Sequence, residues 1–362
     1  MKYQEEYRQK DSVQKMLAEI HRTVTRPWSI MEICGGQTHG LVSFGLLDML
    51  PEKITMIHGP GCPVCVTPVY VIDQAIDLTL KNNATLFSFG DMMRVPGTSK
   101  SLLEAKAAGG RIRAAYSPLD AVKYAEKNPE EEVVFLAIGF ETTMPPNALS
   151  VKMAKQMGLK NFSLLVSHVL VPPAVEAIMS DPETRVNGLL AAGHVCAVTG
   201  MGEYGPLAEK VGIPIVVTGF EPLDLLHGIQ MVAQQLEKGE AKLENQYGRV
   251  VKPEGNPNAM AVSLEIFEAA DMEWRGLGVI PKSGMRIRKE YRDYDARFKF
   301  QLPCSGLELK SECIAGEILK GVKKPNQCPA FGTRCKPESP LGAPMVSNEG
   351  ACSAYFNHRL PI

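Results

Sequence analysis

Short apolar runs alternate along most of the chain with longer segments whose apolar positions recur every three or four residues. Val13, Met16, Leu17 and Ile20 share one helix face, which predicts an amphipathic opening helix over 12–24. From about residue 28 to 230 the apolar runs predict strands at Ser29–Ile33, Ile54–His58, Thr85–Phe89, Val133–Ile138, Phe162–Ser167, Gly188–Ala192 and Ile215–Thr218. Helical periodicity fills the intervals at Pro68–Leu80, Ser101–Ala107, Pro118–Lys127, Pro146–Met157, Pro172–Met179, Glu203–Val211 and Pro222–Leu236. Several of these begin with proline, which the first turn tolerates because its N–H has no helical partner there. Strand and helix in regular alternation imply an α/β fold with mainly parallel sheets.

LFSFGDMMRVPG (86–97) aligns with FLAIGFETTMPP (135–146), and IHGPGCPVCVTPVYVIDQAI has a looser echo in LLVSHVLVPPAVEAI. The repeat suggests two related Rossmann-like α/β lobes facing a cleft. The corresponding division is an N-terminal helix over 1–24, a first lobe over 25–128, a second over 129–238 and a C-terminal part over 239–362. MAVSLEIFEAADMEW within that last part reads as a helix. Beyond Gly276, Gly, Pro, Cys and basic residues dominate with little periodicity, so this segment needs a staple such as a metal site.

The 362 residues are 45% hydrophobic and 22% charged, an ordinary water-soluble balance that allows two or three domains. A net charge of −1 gives no electrostatic case for nucleic acid or an anionic membrane as partner. The apolar runs are far shorter than a membrane span. The charged opening MKYQEEYRQKDSVQKML lacks the apolar core of a signal peptide, so the cytoplasm is the expected compartment.

In a reducing compartment clustered cysteines point to metal or redox chemistry rather than structural disulfides. Of nine cysteines, Cys34, Cys62 and Cys65 form one group, five lie from Cys304 to Cys352, and Cys196 stands apart. Cys313, Cys328, Cys335 and Cys352 read C-x14-C-x6-C-x16-C. Four thiolates from a loop-rich segment suit a cubane cluster, one per iron, or a structural zinc. Cys304 reads as a free thiol.

Cys34, in MEICGGQTHG, ends a predicted strand and precedes two glycines and a helix start. Such a turn lifts a side chain above the carboxyl end of a sheet. A helix N-terminus there is expected to lower the thiol pKa. His39 is a candidate second iron ligand or proton shuttle, or a plain surface histidine. Cys62 and Cys65, in GPGCPVCVTP, form a C-x-x-C able to cycle between dithiol and disulfide. If the strands before Cys34 and Cys62 are neighbours, three thiols meet. Asp91, Glu141 and Thr142 fall at predicted strand ends as possible cleft residues, with helix capping the competing role. His168 and His194 occupy similar positions. Neither a Walker A sequence nor a G-x-G-x-x-G turn is present, so nothing supports nucleotide chemistry.

CGGQTHG, HGPGCPVCVTP, FGDMMRVPG, GFETT and the last four cysteines ending in MVSNEGACSAYF occur in an order that resembles the HypD family of hydrogenase maturation proteins. The resemblance covers essentially the whole chain. It implies a scaffold on which, with a HypC-type chaperone, the iron of [NiFe] hydrogenase receives one carbon monoxide and two cyanides from a HypE-type donor before passing to the hydrogenase large subunit. It further implies Cys34 as the thiol that holds this iron, Cys62 and Cys65 as a redox pair, and Cys313, Cys328, Cys335 and Cys352 as [4Fe-4S] ligands. Gln37 stands where many members carry histidine, leaving His39 as the better histidine candidate. A freestanding iron-sulfur-dependent thiol-disulfide oxidoreductase is the alternative, and it does not need Cys34.

Overall fold

A computed structural model describes residues 5–303 and 312–359. Cys304 lies outside the described residues. All seven expected strands form: β1 (Trp28–Glu32), β2 (Ile54–His58), β3 (Thr85–Ser88), β5 (Val133–Gly139), β6 (Phe162–Val169), β7 (Gly188–Ala192) and β8 (Ile215–Thr218). Two short strands join them, β4 (Ile112–Ala114) and β9 (Leu243–Asn245), and a hairpin follows, β10 (Phe267–Trp274) and β11 (Gly278–Ile287).

The strands make two sheets. The first runs β2-β1-β7-β8-β9 and is parallel throughout. The second runs β10-β11-β6-β5-β3-β4, parallel from β6 to β4 and antiparallel at β11 and β10. The fold is therefore α/β with two parallel-dominated sheets, as the alternation implies. The sheets do not divide the chain at residue 128, however. β1 and β2 join β7 to β9, while β3 to β6 join the hairpin. The reason is topological: β2 does not lead to a third strand of its own sheet. The helix Val69–Leu80 packs instead on the second sheet, with Val71, Ile72, Ala75 and Leu78 buried against Leu86, Val134 and Leu136.

This interleaving reinterprets the repeat. β3 and β5, the strands of the aligned segments 86–97 and 135–146, are neighbours in one sheet, not counterparts in two lobes. The looser echo marks the two places where the chain passes from one sheet to the other through a helix, β2 to β3 and β6 to β7.

The region after residue 260 departs from expectation. A helix spans Pro257–Ile266, capped by the Asn256 side chain, and the next residues are strand, not helix. In β10 the buried Phe267, Met272 and Trp274 alternate with more exposed neighbours apart from a bulge near Ala270. Trp274 Nε1 donates to Ser283 Oγ (2.8 Å), which fixes the pairing with β11.

The N-terminal helix Lys10–Thr23 buries Leu17 and Ile20 against Leu225, Ile229 and Val232 of the helix Pro222–Lys238. Each such side chain contributes roughly 1.5–3 kcal/mol.

Candidate metal and thiol centre

The first sheet concentrates chemistry at its carboxyl edge. In spatial order, β2 is followed by Cys62 and Cys65, β1 by Cys34, β7 by His194 and β8 by Phe220. The chain leaves β1 toward β2 on one side and β7 toward β8 on the other. The β1/β7 boundary is thus a topological switch point, the kind of position where α/β sheets commonly bind ligands. Cys34 and His194 occupy it, with Cys34 Sγ 3.8 Å from His194 Nδ1.

Cys34 is the N-cap residue of the helix Gly35–Ser43, in extended conformation. Its surroundings demand glycine. A Cβ on Gly61 would lie 2.3 Å from the Cys34 backbone, and one on Gly35 would lie 2.4 Å from Glu349 Cβ. Gly35 N–H donates to Gly61 O (3.0 Å), tying the Cys34 loop to the Cys62 loop. The expected low thiol pKa is not found. Backbone N–H groups of Gly36 and Gln37 pull it down, but burial, chiefly, and the Glu349 carboxylate push it up to about 12. A cation would reverse that balance by stabilising the thiolate. Burial holds the His194 imidazole down at about 4, so it is neutral at pH 7.

Cys62 and Cys65 are joined as a disulfide, both buried, around the short helix Pro63–Val66. Cys62 Sγ also accepts from Cys65 N–H (3.2 Å).

Cys313, Cys328, Cys335 and Cys352 line one narrow cavity of about 20 Å³, otherwise walled by apolar side chains such as Ile318, Phe331 and Met345. None is disulfide-bonded. Among the described residues no set of three or more His, Cys, Asp and Glu forms a ready-made ion site. The donor set around the cavity is thiol only, with no carboxylate in the wall, and Leu341 N–H reaches Cys335 Sγ at 3.4 Å. Soft sulfur donors backed by an amide fit an iron-sulfur cluster. Burial and the neighbouring cysteines push the Cys352 thiol well above its usual value. Here too a cationic core would be needed to hold thiolates.

The disulfide and the four-cysteine cavity share one segment. Ala343 and Val346 pack in the core cluster that contains Cys62 and Cys65, while Gly342, Pro344 and Met345 line the cavity. A few residues on, Glu349 rests on Gly35.

The other candidates divide. His39 is exposed and meets His358 edge to face (5.6 Å), on the outer side of its helix, so the ring beside Cys34 is that of His194 instead. Asp91 is half-buried, and its charge adds to burial, the larger cause, in raising the Glu349 carboxyl. Neither Asp91 nor Thr142 caps a helix, since Phe89 and Thr143 hold the N-cap positions. Glu141 is buried. Its Oε1 accepts from Val171 N–H (2.8 Å), its Oε2 has no partner, and desolvation lifts its pKa to about 7. It faces the first sheet, close enough that its charge raises the Cys196 thiol. Cys196 is fully buried in the core, its pKa raised by burial to about 12. His168 is buried in the second sheet, where its Nε2 meets Asn147 Nδ2 (2.9 Å), away from Cys34. Gln37 is buried and donates to Thr218 Oγ1 (2.6 Å) and Ala191 O (3.2 Å), pinning the Cys34 helix to β7 and β8.

The family model HypD, described as the hydrogenase formation hypA family, matches residues 11–359. The chain belongs to the HypD family. Hydrogenase maturation factor HypD of Azotobacter vinelandii is 45% identical, with 98% of this chain and 96% of that protein covered. The factors of the same name from Rhodobacter capsulatus and Escherichia coli (strain K12) are 45% and 42% identical, each covering 99% of this chain and 98% of the relative. As a HypD-family protein the chain is a hydrogenase maturation factor, a role that involves other maturation proteins and the hydrogenase.

One feature of this HypD-family chain has no motif to mark it in the sequence. Glu32 and His58 end neighbouring strands and pair in the core, His58 Nδ1 to Glu32 Oε1 at 2.5 Å. Thr38 donates to Glu32 (2.6 Å), and His58 Nε2 meets Tyr355 OH (3.0 Å). The last residue of a parallel strand facing its neighbour's last residue was the available signal. Their partner Tyr355, three positions past Cys352, carried none. No helix among the described residues is long and apolar enough to cross a membrane.

Proposed function

We propose that this chain is the scaffold on which the iron of [NiFe] hydrogenase acquires two cyanides and one carbon monoxide before transfer to the large subunit. The observation that carries the reading is the convergence of three sulfur sites. Cys34 stands at the switch point, the Cys62–Cys65 disulfide is tied to it through Gly61, and the four-cysteine cavity adjoins both through residues 342–349. A freestanding oxidoreductase would need the last two sites but not a cysteine at the switch point.

In this reading Cys34 supplies the thiolate that holds the iron being built, and a HypC-type chaperone supplies further contact from outside. The switch point between β1 and β7 receives the iron, and neutral His194 stands beside the sulfur as a hydrogen-bond donor or further ligand. The cyanides arrive through a HypE-type donor. Cys313, Cys328, Cys335 and Cys352 hold a [4Fe-4S] cluster, which when bound supplies electrons one at a time. The Cys62–Cys65 disulfide takes up two electrons and two protons to become two thiols, and releases them when it reforms. The electrons enter from an external one-electron donor protein. The short path through residues 342–346 places cavity and disulfide on two sides of one backbone segment.

Infrared spectra test this reading. The wild-type protein and Cys34→Ala are purified without oxygen after co-expression with the other maturation proteins. Cyanide and carbonyl stretches in wild type that vanish in the variant are the expected result. Stretches that persist in Cys34→Ala overturn the assignment of Cys34. Iron and sulfide in both samples with no stretches in either favour the freestanding oxidoreductase.

A further inference from the structure

We infer that the buried chain Thr38–Glu32–His58–Tyr355 is a positioning device that couples the four-cysteine site to the Cys34 helix, an inference that rests on the cluster assignment proposed above. Filling the four-cysteine site then holds Cys34 in place.

Two helices carry the two sites. Cys34 is the N-cap residue of the helix Gly35–Ser43, and Cys352 lies in the first turn of the helix Ala351–Arg359. The helices pack against each other, with Ala354 and Tyr355 buried against Val42. Phe331 joins the same apolar group and also lines the four-cysteine cavity. At the exposed margin of the contact His358 meets His39 edge to face.

A hydrogen-bonded chain adds direction to that packing. Tyr355, three residues after Cys352, meets His58 Nε2 through its hydroxyl (3.0 Å), and the two rings pack edge to face with centroids 5.3 Å apart. His58 Nδ1 reaches Glu32 Oε1 (2.5 Å). Thr38 donates to the same oxygen (2.6 Å), and its backbone N–H donates to Cys34 O (3.0 Å). All four side chains are buried, Glu32 completely. Apolar packing is non-directional and tolerates small slides of one helix over another. Hydrogen bonds are directional, and in a buried site a member left without its partner is costly. The two helices therefore keep one register through His58 and Glu32, which stand at the ends of the paired strands β2 and β1. Thiolate bonds to a cluster would pin Cys352, with it the first turn of the C-terminal helix, and through Tyr355 the helix that begins at Cys34.

The test uses the full chain, purified without oxygen, either carrying its iron and sulfide or stripped of them with a chelator. Amide hydrogen exchange of the segment 35–43 is read by peptide mass spectrometry, which reports local opening of that helix. In wild type, loading is expected to slow this exchange about tenfold, a coupling of ordinary size between two sites. Thr38→Val, which keeps the shape of the side chain and removes its hydroxyl, and Tyr355→Phe are each expected to bring the ratio of the two rates close to one. Thr38→Ser, which keeps the hydroxyl, is expected to retain the wild-type ratio. A merely structural role would speed exchange in both forms and leave the ratio unchanged. A wild-type ratio of one, or a ratio that survives in both Thr38→Val and Tyr355→Phe, overturns the inference and leaves the proposed function standing. Wild-type protein that binds no iron and sulfide overturns the cluster assignment and the inference with it.

Discussion

Glu141 offers a sharp test of how the two sheets meet. Its carboxyl is buried, one oxygen is satisfied by Val171 N–H and the other has no partner. Desolvation raises its pKa from 4.5 to about 7. A raised carboxyl pKa means that the folded state binds the proton more tightly than the unfolded state. The protonated side chain is well accommodated below pH 4.5, and stability falls as pH rises from there through 7. Each pKa unit corresponds to 1.36 kcal/mol. Between pH 5 and pH 8 the cost of ionising this group in place comes to about 2.5 kcal/mol. Glu141→Gln keeps the acceptor for Val171 and removes the charge. It also places an amide where the unpartnered oxygen stood, a penalty of about 1–3 kcal/mol that does not depend on pH. The informative quantity is therefore the change in the mutational effect between the two pH values. Glu141→Gln is expected to gain about 2.5 kcal/mol relative to wild type on going from pH 5 to pH 8. Urea unfolding followed by tryptophan fluorescence reads this directly, because Trp274 packs against Phe140, the residue before Glu141. A mutational effect that is the same at both pH values, or that shifts in the opposite direction, refutes the picture of a neutral buried carboxyl.

Three further outcomes follow from the same geometry. In metal-free protein, Cys34 with its pKa near 12 should be alkylated at pH 8 about a thousandfold more slowly than an unhindered thiol, read by peptide mass spectrometry; a rate typical of exposed cysteine counts against its buried environment. Gly61→Ala, whose Cβ meets the Cys34 backbone at 2.3 Å, should destabilise the fold by more than about 3 kcal/mol and expose Cys34 to alkylation; an unfolding midpoint equal to wild type refutes the contact. Gln37→Ala removes the donor to Thr218 and Ala191 and should cost about 1–3 kcal/mol in urea unfolding; an unchanged midpoint refutes the role of these bonds.

The fold was legible where local pattern and tertiary context agree. Strands such as Val133–Gly139 are buried on both faces, so their continuous apolar runs could be recognised. The hairpin is not legible because FEAADMEW carries helix-forming Glu, Ala and Met, and its alternation is broken by the bulge near Ala270. Pairing with β6 through Gly284 and Met285 overrides that propensity. The assignment of strands to sheets was not legible at all. A helix that crosses to another sheet has the same amphipathic pattern as one that returns to its own.

The same limit explains which site residues could be read. Cys34, Cys62 and Cys65 announce themselves through residue type and the glycines around them, and the pairing of β1 with β2, which the sequence leaves as a condition, brings their loops together. The sequence points to His39 and not His194 because His39 shares the CGGQTHG loop with Cys34. On a helix, however, the fifth residue after the N-cap is carried round to another face, and here it faces His358. His194 reaches the sulfur only because β7, which comes well over a hundred residues later, inserts beside β1. An acidic or imidazole partner contributed by a distant strand has no signature of its own until strand order is known. Given the order β2-β1-β7-β8, the residues after each strand's last position form a contiguous row, and Cys62, Cys34, His194 and Phe220 follow from it directly. The candidate centre is thus a property of strand order more than of any single motif, and a change that preserved CGGQTHG while displacing β7 would leave Cys34 without His194 beside it.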